Sequence, residues 1–120
     1  MSRYDVIIIG AGPGGIFAAY ELMQKAPELK VAVFESGNSL EKRKCPIDGK
    51  KVKSCIGCKT CAIMSGFGGA GAFSDGKYNI TNDFGGTLYE YIGKDTAIGL
   101  MRYVDEINVP CGGEGTRMYS

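Results

Sequence analysis

Tyr4-Asp5-Val6-Ile7-Ile8-Ile9-Gly10-Ala11-Gly12-Pro13-Gly14-Gly15-Ile16-Phe17-Ala18-Ala19-Tyr20 is the stretch on which the fold turns. Tyr4 to Ile9 is rich in β-branched residues and alternates little, the composition of a strand covered on both faces in a parallel sheet. From Gly14 to Lys25 the residues Ile16, Phe17, Ala19, Tyr20, Leu22 and Met23 recur at helical spacing. Between strand and helix, Gly10-Ala11-Gly12-Pro13-Gly14-Gly15 spells G-x-G-x-x-G, in the setting where that motif has a mechanical meaning. Gly10 permits the tight turn, Gly12 removes a Cβ that would hold a pyrophosphate off the backbone, and Gly15 lets helix and strand approach closely. The helix start, with Pro13 and Gly14, then offers unpaired N–H groups and a positive dipole end to phosphate. Alone, such a turn often does no more than join a strand to a helix, so the flanking residues decide.

Working outward, Pro27 closes the helix, Glu28-Leu29-Lys30 is the return loop, and Val31 to Phe34 supplies a second β-branched strand. A right-handed crossover lays the two strands parallel with the helix on one face. Glu35, twenty residues after Gly15, stands at the carboxyl end of the second strand with Ser36 beside it. A carboxylate there accepts hydrogen bonds from the adenosine ribose and repels a 2′-phosphate, which disfavours NADP and leaves FAD or NAD. Strand, glycines, helix, second strand and acid in register make an α/β, Rossmann-like βαβ unit of the FAD/NAD(P)-binding type over residues 1–36.

These residues resemble the large family of FAD/NAD(P)-dependent oxidoreductases in which a GAGPxG turn near the N-terminus and a V-x-V-x-E strand bind FAD. A second stretch, Gly66-Phe67-Gly68-Gly69-Ala70-Gly71-Ala72-Phe73-Ser74-Asp75-Gly76-Lys77, is similar to a segment of the branch described as FAD-dependent dehydrogenases. The resemblance implies FAD rather than NAD as bound cofactor, and Gly69 and Gly71 close to the FAD phosphates or ring; NAD(P)H or a small organic molecule is then the expected electron donor, and the alternative is an NAD-binding or iron–sulfur electron-carrier module without catalysis of its own. In that family a second segment near the far end completes the flavin site, so the sheet is expected to be incomplete in this chain. The sequence names no catalytic acid or base: it has no histidine, and Ser74, Asp75 and Lys77 either face the cofactor or cap a turn. Gly71-x4-Gly76-Lys77 nearly spells an ATPase phosphate loop, but Tyr78 stands where Ser or Thr must reach magnesium and no strand precedes Gly71.

Cys55-Ile56-Gly57-Cys58-Lys59-Thr60-Cys61 is C-x2-C-x2-C, the spacing with which bacterial ferredoxins place three thiolates on an iron–sulfur cluster. Upstream, Cys45-Pro46 offers a fourth ligand across the turn at Asp48-Gly49. Four thiolates at Cys45, Cys55, Cys58 and Cys61 suit a [4Fe–4S] cluster or a closed structural zinc. Unligated thiols in a loop, and a thiol–disulfide relay, remain alternatives. Lys42, Arg43, Lys44, Lys50, Lys51, Lys53 and Lys59 lie in this stretch, seven of the fourteen basic residues, and are expected to be a solvated face. The fifth cysteine, Cys111, is expected to be buried.

The 120 residues divide into the βαβ unit at 1–36, a basic cysteine-rich insertion at 37–65 and a glycine-rich, flavin-proximal segment with further helices at 66–120. In the last part a short strand is expected over Lys77–Thr81 and helices over Thr87–Ile92 and Asp95–Ile107, the second with a stripe at Ile98, Met101, Val104 and Ile107. A net charge of +1 argues against nucleic acid as partner, and no apolar run approaches the ~20 residues of a membrane span. With no signal core after Met1, the expectation is a cytoplasmic protein.

Overall fold

A computed structural model of the chain describes residues 3–73, 80–83 and 85–112. Residues 1–74 and 75–120 form two compact units. The expectations for Ser74, Asp75, Lys77, the phosphate-loop-like Gly76-Lys77-Tyr78 and most of the strand at 77–81 lie outside the described residues.

The first unit is built on β1 (Val6–Ile9), α1 (Pro13–Lys25) and β2 (Val31–Phe34). β1 and β2 pair in parallel with Val6 opposite Val31 and Ile9 opposite Phe34. The amides of Asp5 and Val6 donate to the Lys30 carbonyl, and Asp5 Oδ2 accepts from the Lys30 amide at 2.9 Å, which fixes the register at the open end. At the other end Gly10 N–H donates to Phe34 O at 2.7 Å, carrying the ladder into the glycine turn. Pro13 at the first helical position costs no hydrogen bond, and α1 ends at Lys25, before Pro27 could interrupt it. Ile16, Phe17, Ala19 and Leu22 are half-buried, whereas Tyr20 and Met23 of the expected apolar stripe are exposed.

The strand expected to be covered on both faces is not. Ile7, Ile9 and Phe34, which the register puts on one face, are exposed, Ile9 by 82%, because α1 lies on the other face with Ile8 and no further described element of the first unit covers this one; Val33, on the α1 side, is 40% exposed. The β-branched composition fits a strand sheltered on two sides, but among the described residues of the first unit α1 is the one helical layer.

After β2 the chain makes a 3-10 turn at Leu40–Lys42, an irregular excursion, and a second 3-10 turn at Ala70–Phe73. The excursion is ordered by tight turns instead of a sheet. Asp48 Oδ1 accepts the amides of Lys50, Lys51 and Val52 at 2.8 to 2.9 Å, and Met64 and Ser65 donate to the Cys61 carbonyl.

The second unit holds α2 (Leu88–Ile92) and α3 (Lys94–Asn108), joined by Gly93, with a 3-10 turn at Val109–Cys111. Ile80, Leu88, Ala97, Leu100, Met101 and Val104 line an open apolar groove of about 300 Å³, so Met101 and Val104 of the expected stripe are used while Ile98 and Ile107 are half-buried beside it. Cys111 is exposed, contrary to expectation, because it sits on the single turn that trails from α3. Among the described residues no helix is long and apolar enough to cross a membrane.

Candidate dinucleotide-binding site

The site is assembled where β1 and β2 end side by side. Gly10 adopts φ +95°, a conformation open to glycine and costly for any other residue, and so reverses the chain off the strand. Gly15 is required by contact: a Cβ there would fall 2.0 Å from the Gly10 carbonyl oxygen and 3.3 Å from the Ile8 side chain. Gly12 differs from both. Its φ of −76° suits any residue, and a Cβ would meet only the Gly69 Cα at 4.0 Å. Neither backbone conformation nor neighbouring protein atoms call for glycine at Gly12, and Gly14 likewise has no atom within 4 Å of a Cβ. Space is therefore left open over the first turn of α1.

That turn is uncapped. Gly12 is the N-cap, no side chain bonds to it, and the first amide to find a helical partner is Ile16, which donates to Gly12 O at 3.0 Å. Pro13 has no N–H, so the amides of Gly14 and Gly15 are the orphan donors of the helix start. Orphan amides, the dipole end and glycines without side chains together form an anion cradle.

Glu35 closes one side. Its Oε2 accepts from the Ala11 amide at 2.7 Å and its Oε1 from the Gly37 amide at 2.8 Å. These two amides, with smaller contributions from the Ser36 amide and the Arg43 charge, hold the carboxyl below its ordinary 4.5 against the opposing effect of partial burial. Each oxygen keeps a further lone pair for another donor. Beside it an open cavity of about 470 Å³ is lined by Glu35, Gly37, Asn38, Ser39, Leu40, Glu41 and Phe67, a carboxylate next to apolar walls.

The glycine-rich stretch backs this turn. Gly68 N–H donates to the Ala11 carbonyl at 2.8 Å, and Gly69, at φ +62°, sits so close that a Cβ would lie 3.1 Å from Gly12 Cα and from Pro13 Cδ. Gly71 is one contact further out, 4.0 Å from the Pro13 ring by the same measure. The structure thus gathers Gly10, Gly12, Pro13, Gly14, Gly15, Glu35, Gly69 and Gly71 about one turn, while Ser36 is exposed at its rim.

Sequence reasoning missed Arg43. Within a run taken as a solvated face, its side chain is buried at 3% exposure. Nε donates to Ala62 O at 2.8 Å, Nη1 to Phe67 O at 2.6 Å and Nη2 to Ile63 O at 2.7 Å, and the guanidinium lies 4.7 Å from the Phe73 ring centre. One planar fork thereby ties the insertion to the glycine-rich stretch that backs the nucleotide turn. Its being arginine among lysines was the one signal available.

The expected metal ligands Cys45, Cys55, Cys58 and Cys61 all border one small cavity without forming a ligand set. Among the described residues no three of Cys, Asp, Glu or His stand together as a ligand set. Cys45 and Cys61 are half-buried and Cys55 and Cys58 exposed, all four as free thiols. The segment carrying the middle two has no regular structure.

A model of the Thi4 family matches residues 1–41. Over 33 residues the chain is 58% identical to a thiamine thiazole synthase of Phaeosphaeria nodorum and 54% identical to one of Yarrowia lipolytica, covering 28% of this chain and 10% of each of those proteins. It is 37% identical over 71 residues to an uncharacterized protein of Clostridium beijerinckii, covering 59% of this chain and 13% of that protein. No solved structure matches significantly. The alignments thus take in about a tenth of the length of these curated relatives, and what the likeness at residues 1–41 identifies is an N-terminal nucleotide-binding-type βαβ unit of the Rossmann-like class.

Proposed function

We propose that the first unit binds the ADP half of FAD and that the chain is the N-terminal part of an FAD-dependent oxidoreductase. The observation that carries this reading is the Glu35 carboxylate fastened to the glycine turn at Ala11, directly beside an uncapped helix start. In this arrangement the Gly14 and Gly15 amides take the pyrophosphate, Glu35 takes the ribose hydroxyls, and the cavity walled by Leu40 and Phe67 takes the adenine. The open space at Gly12, which no protein contact explains, supports close approach of a phosphate. A negative charge at Glu35 disfavours a 2′-phosphate, so NADP is not the ligand of this turn. FAD, when bound, supplies the redox chemistry, and this chain's residues hold and orient it. NAD(P)H or a small organic molecule is the electron donor in this reading.

The match to the Thi4 family model supports nucleotide binding, since residues 1–41 take in both strands, the glycine turn and Glu35. The likeness to the thiamine thiazole synthases covers a tenth of those enzymes and carries no reaction to this chain. The test is titration of the full chain with ADP, FAD and 2′-phospho-ADP by calorimetry. Competition between ADP and FAD for one site, with 2′-phospho-ADP weaker by about tenfold or more, is the expected result. Binding of FAD that ADP does not displace, or a preference for the 2′-phosphate, overturns the assignment.

A further inference from the structure

The excursion from Arg43 to Ser65 has no sheet, no α-helix and no apolar core of its own. Irregular segments of this length in compact units are ordered by function or by a staple. What lies at the centre of this one is a small cavity of about 90 Å³, lined by Cys45, Cys55, Cys58 and Cys61 together with Pro46, Ile47, Ile56, Gly57 and Ala62. Four of the chain's five cysteines border one enclosure.

The two ends of the set are pinned and its middle is not. Cys45 follows two residues after the buried Arg43, and Cys61 precedes Ala62, whose carbonyl accepts from Arg43 Nε at 2.8 Å. The Cys61 carbonyl is itself held by the amides of Met64 and Ser65. The turn at Asp48–Val52 folds the chain back so that Cys55 returns toward Cys45. From Lys53 to Thr60, by contrast, no backbone hydrogen bond is made among the described residues. Cys55 and Cys58 therefore ride on a segment with nothing to break before it closes on the cavity, and with no cross-link of its own to order it.

We propose that Cys45, Cys55, Cys58 and Cys61 close around a metal centre as four thiolates. Each metal–sulfur bond forms as a thiol proton leaves to solvent, and the binding free energy orders the segment that hydrogen bonds leave free. A four-thiolate site carries excess negative charge, which the seven basic residues from Lys42 to Lys59 offset. Zinc(II) and a preformed iron–sulfur cluster, transferred onto the thiolates by exchange of its own thiolate ligands with no change of oxidation state, make the same demand on the chain, four sulfur ligands at tetrahedral metal. The x2 spacings of Cys55, Cys58 and Cys61 suit either.

The proposal is independent of nucleotide binding and is tested apart from it. The full chain is purified anaerobically and assayed for zinc, iron and acid-labile sulfide, with its visible spectrum recorded and its free thiols counted by Ellman's reagent. The expected result is either about one zinc per chain or about four iron with equal sulfide and a broad visible absorption, with Cys111 as the one reactive thiol. Cys58→Ser loses the metal, Cys111→Ser keeps it, and both bind ADP as the unaltered chain does, which shows that the first unit is folded. A metal-free chain that takes up neither zinc nor a preformed iron–sulfur cluster overturns the proposal. Metal content unchanged in Cys58→Ser, or disulfides in place of metal, overturns it equally. Failure of the unaltered chain to bind ADP while it holds the metal strikes the nucleotide reading and supports this one.

Discussion

Glu35 Oε2 lies 2.7 Å from the Ala11 amide nitrogen, so the acid that ends the second strand is tied, across 24 residues, to the turn that ends the first. Ala11 is itself 99% covered, and its carbonyl accepts from Gly68. The carboxylate thus has its orientation set by the protein before any sugar arrives. Glu35→Gln keeps the shape but loses the charge and turns an amide NH₂ toward one of the two backbone donors. The expected outcome is ADP binding weaker by about tenfold with a narrowed preference over 2′-phospho-ADP, measured by calorimetry on both ligands. Unchanged discrimination would remove Glu35 from the ribose site.

The same two amides give a pH dependence. The folded-state pKa of Glu35 lies below 4.5, so the stabilisation it brings is complete above 4.5 and is lost as pH falls through the lower folded value. ADP affinity is expected to be flat from neutrality to about pH 5 and to fall in more acid solution, with Glu35→Gln showing no such fall. Titration of binding against pH for the two proteins checks this.

Gly15 and Gly12 should separate folding from binding. Gly15→Ala forces a methyl onto the Gly10 carbonyl, and overpacking of this kind costs about 1–3 kcal/mol. A lowered melting temperature is expected for that variant. Gly12→Ala meets no protein atom closer than 4.0 Å, so its melting temperature should hold while affinity for ADP and FAD drops. Equal melting and equal binding in Gly12→Ala would show that no phosphate approaches there.

Arg43→Lys is expected to be far from conservative. An ammonium cannot reproduce a fork that serves three carbonyls at once, and losing hydrogen bonds of a charged donor in a buried place costs about 1.5–3 kcal/mol each at most sites. Limited proteolysis should cut Arg43→Lys within residues 44–61 well before the parent chain. Equal resistance would mean that the turns at Asp48 and Cys61 hold the excursion unaided.

The βαβ unit was legible because every constraint in it is local. Glycines at fixed offsets, β-branched runs and helical spacing each speak for a few residues, and they placed α1 one residue late, at Gly14 instead of Pro13, and β2 correctly at Val31–Phe34. β1 proved shorter, starting at Val6, because Asp5 uses its carboxylate on Lys30. Arg43 was illegible for the opposite reason: its partners are carbonyls 19 to 24 residues away, and nothing in a run of lysines marks the one cation that turns inward. Cys111 was misjudged because cysteine's general preference for the interior says nothing about a turn at a helix end. The exposed face of the sheet was hidden for a third reason, since composition reports what a strand can tolerate and not which layers stand beside it.

That bare face has a practical effect. Ile7, Ile9 and Phe34 offer water a greasy plane on a two-stranded sheet, the kind of surface that favours sticking between copies. Handled at high concentration without a cover for it, the chain should clump, and mild detergent or dilution should disperse it.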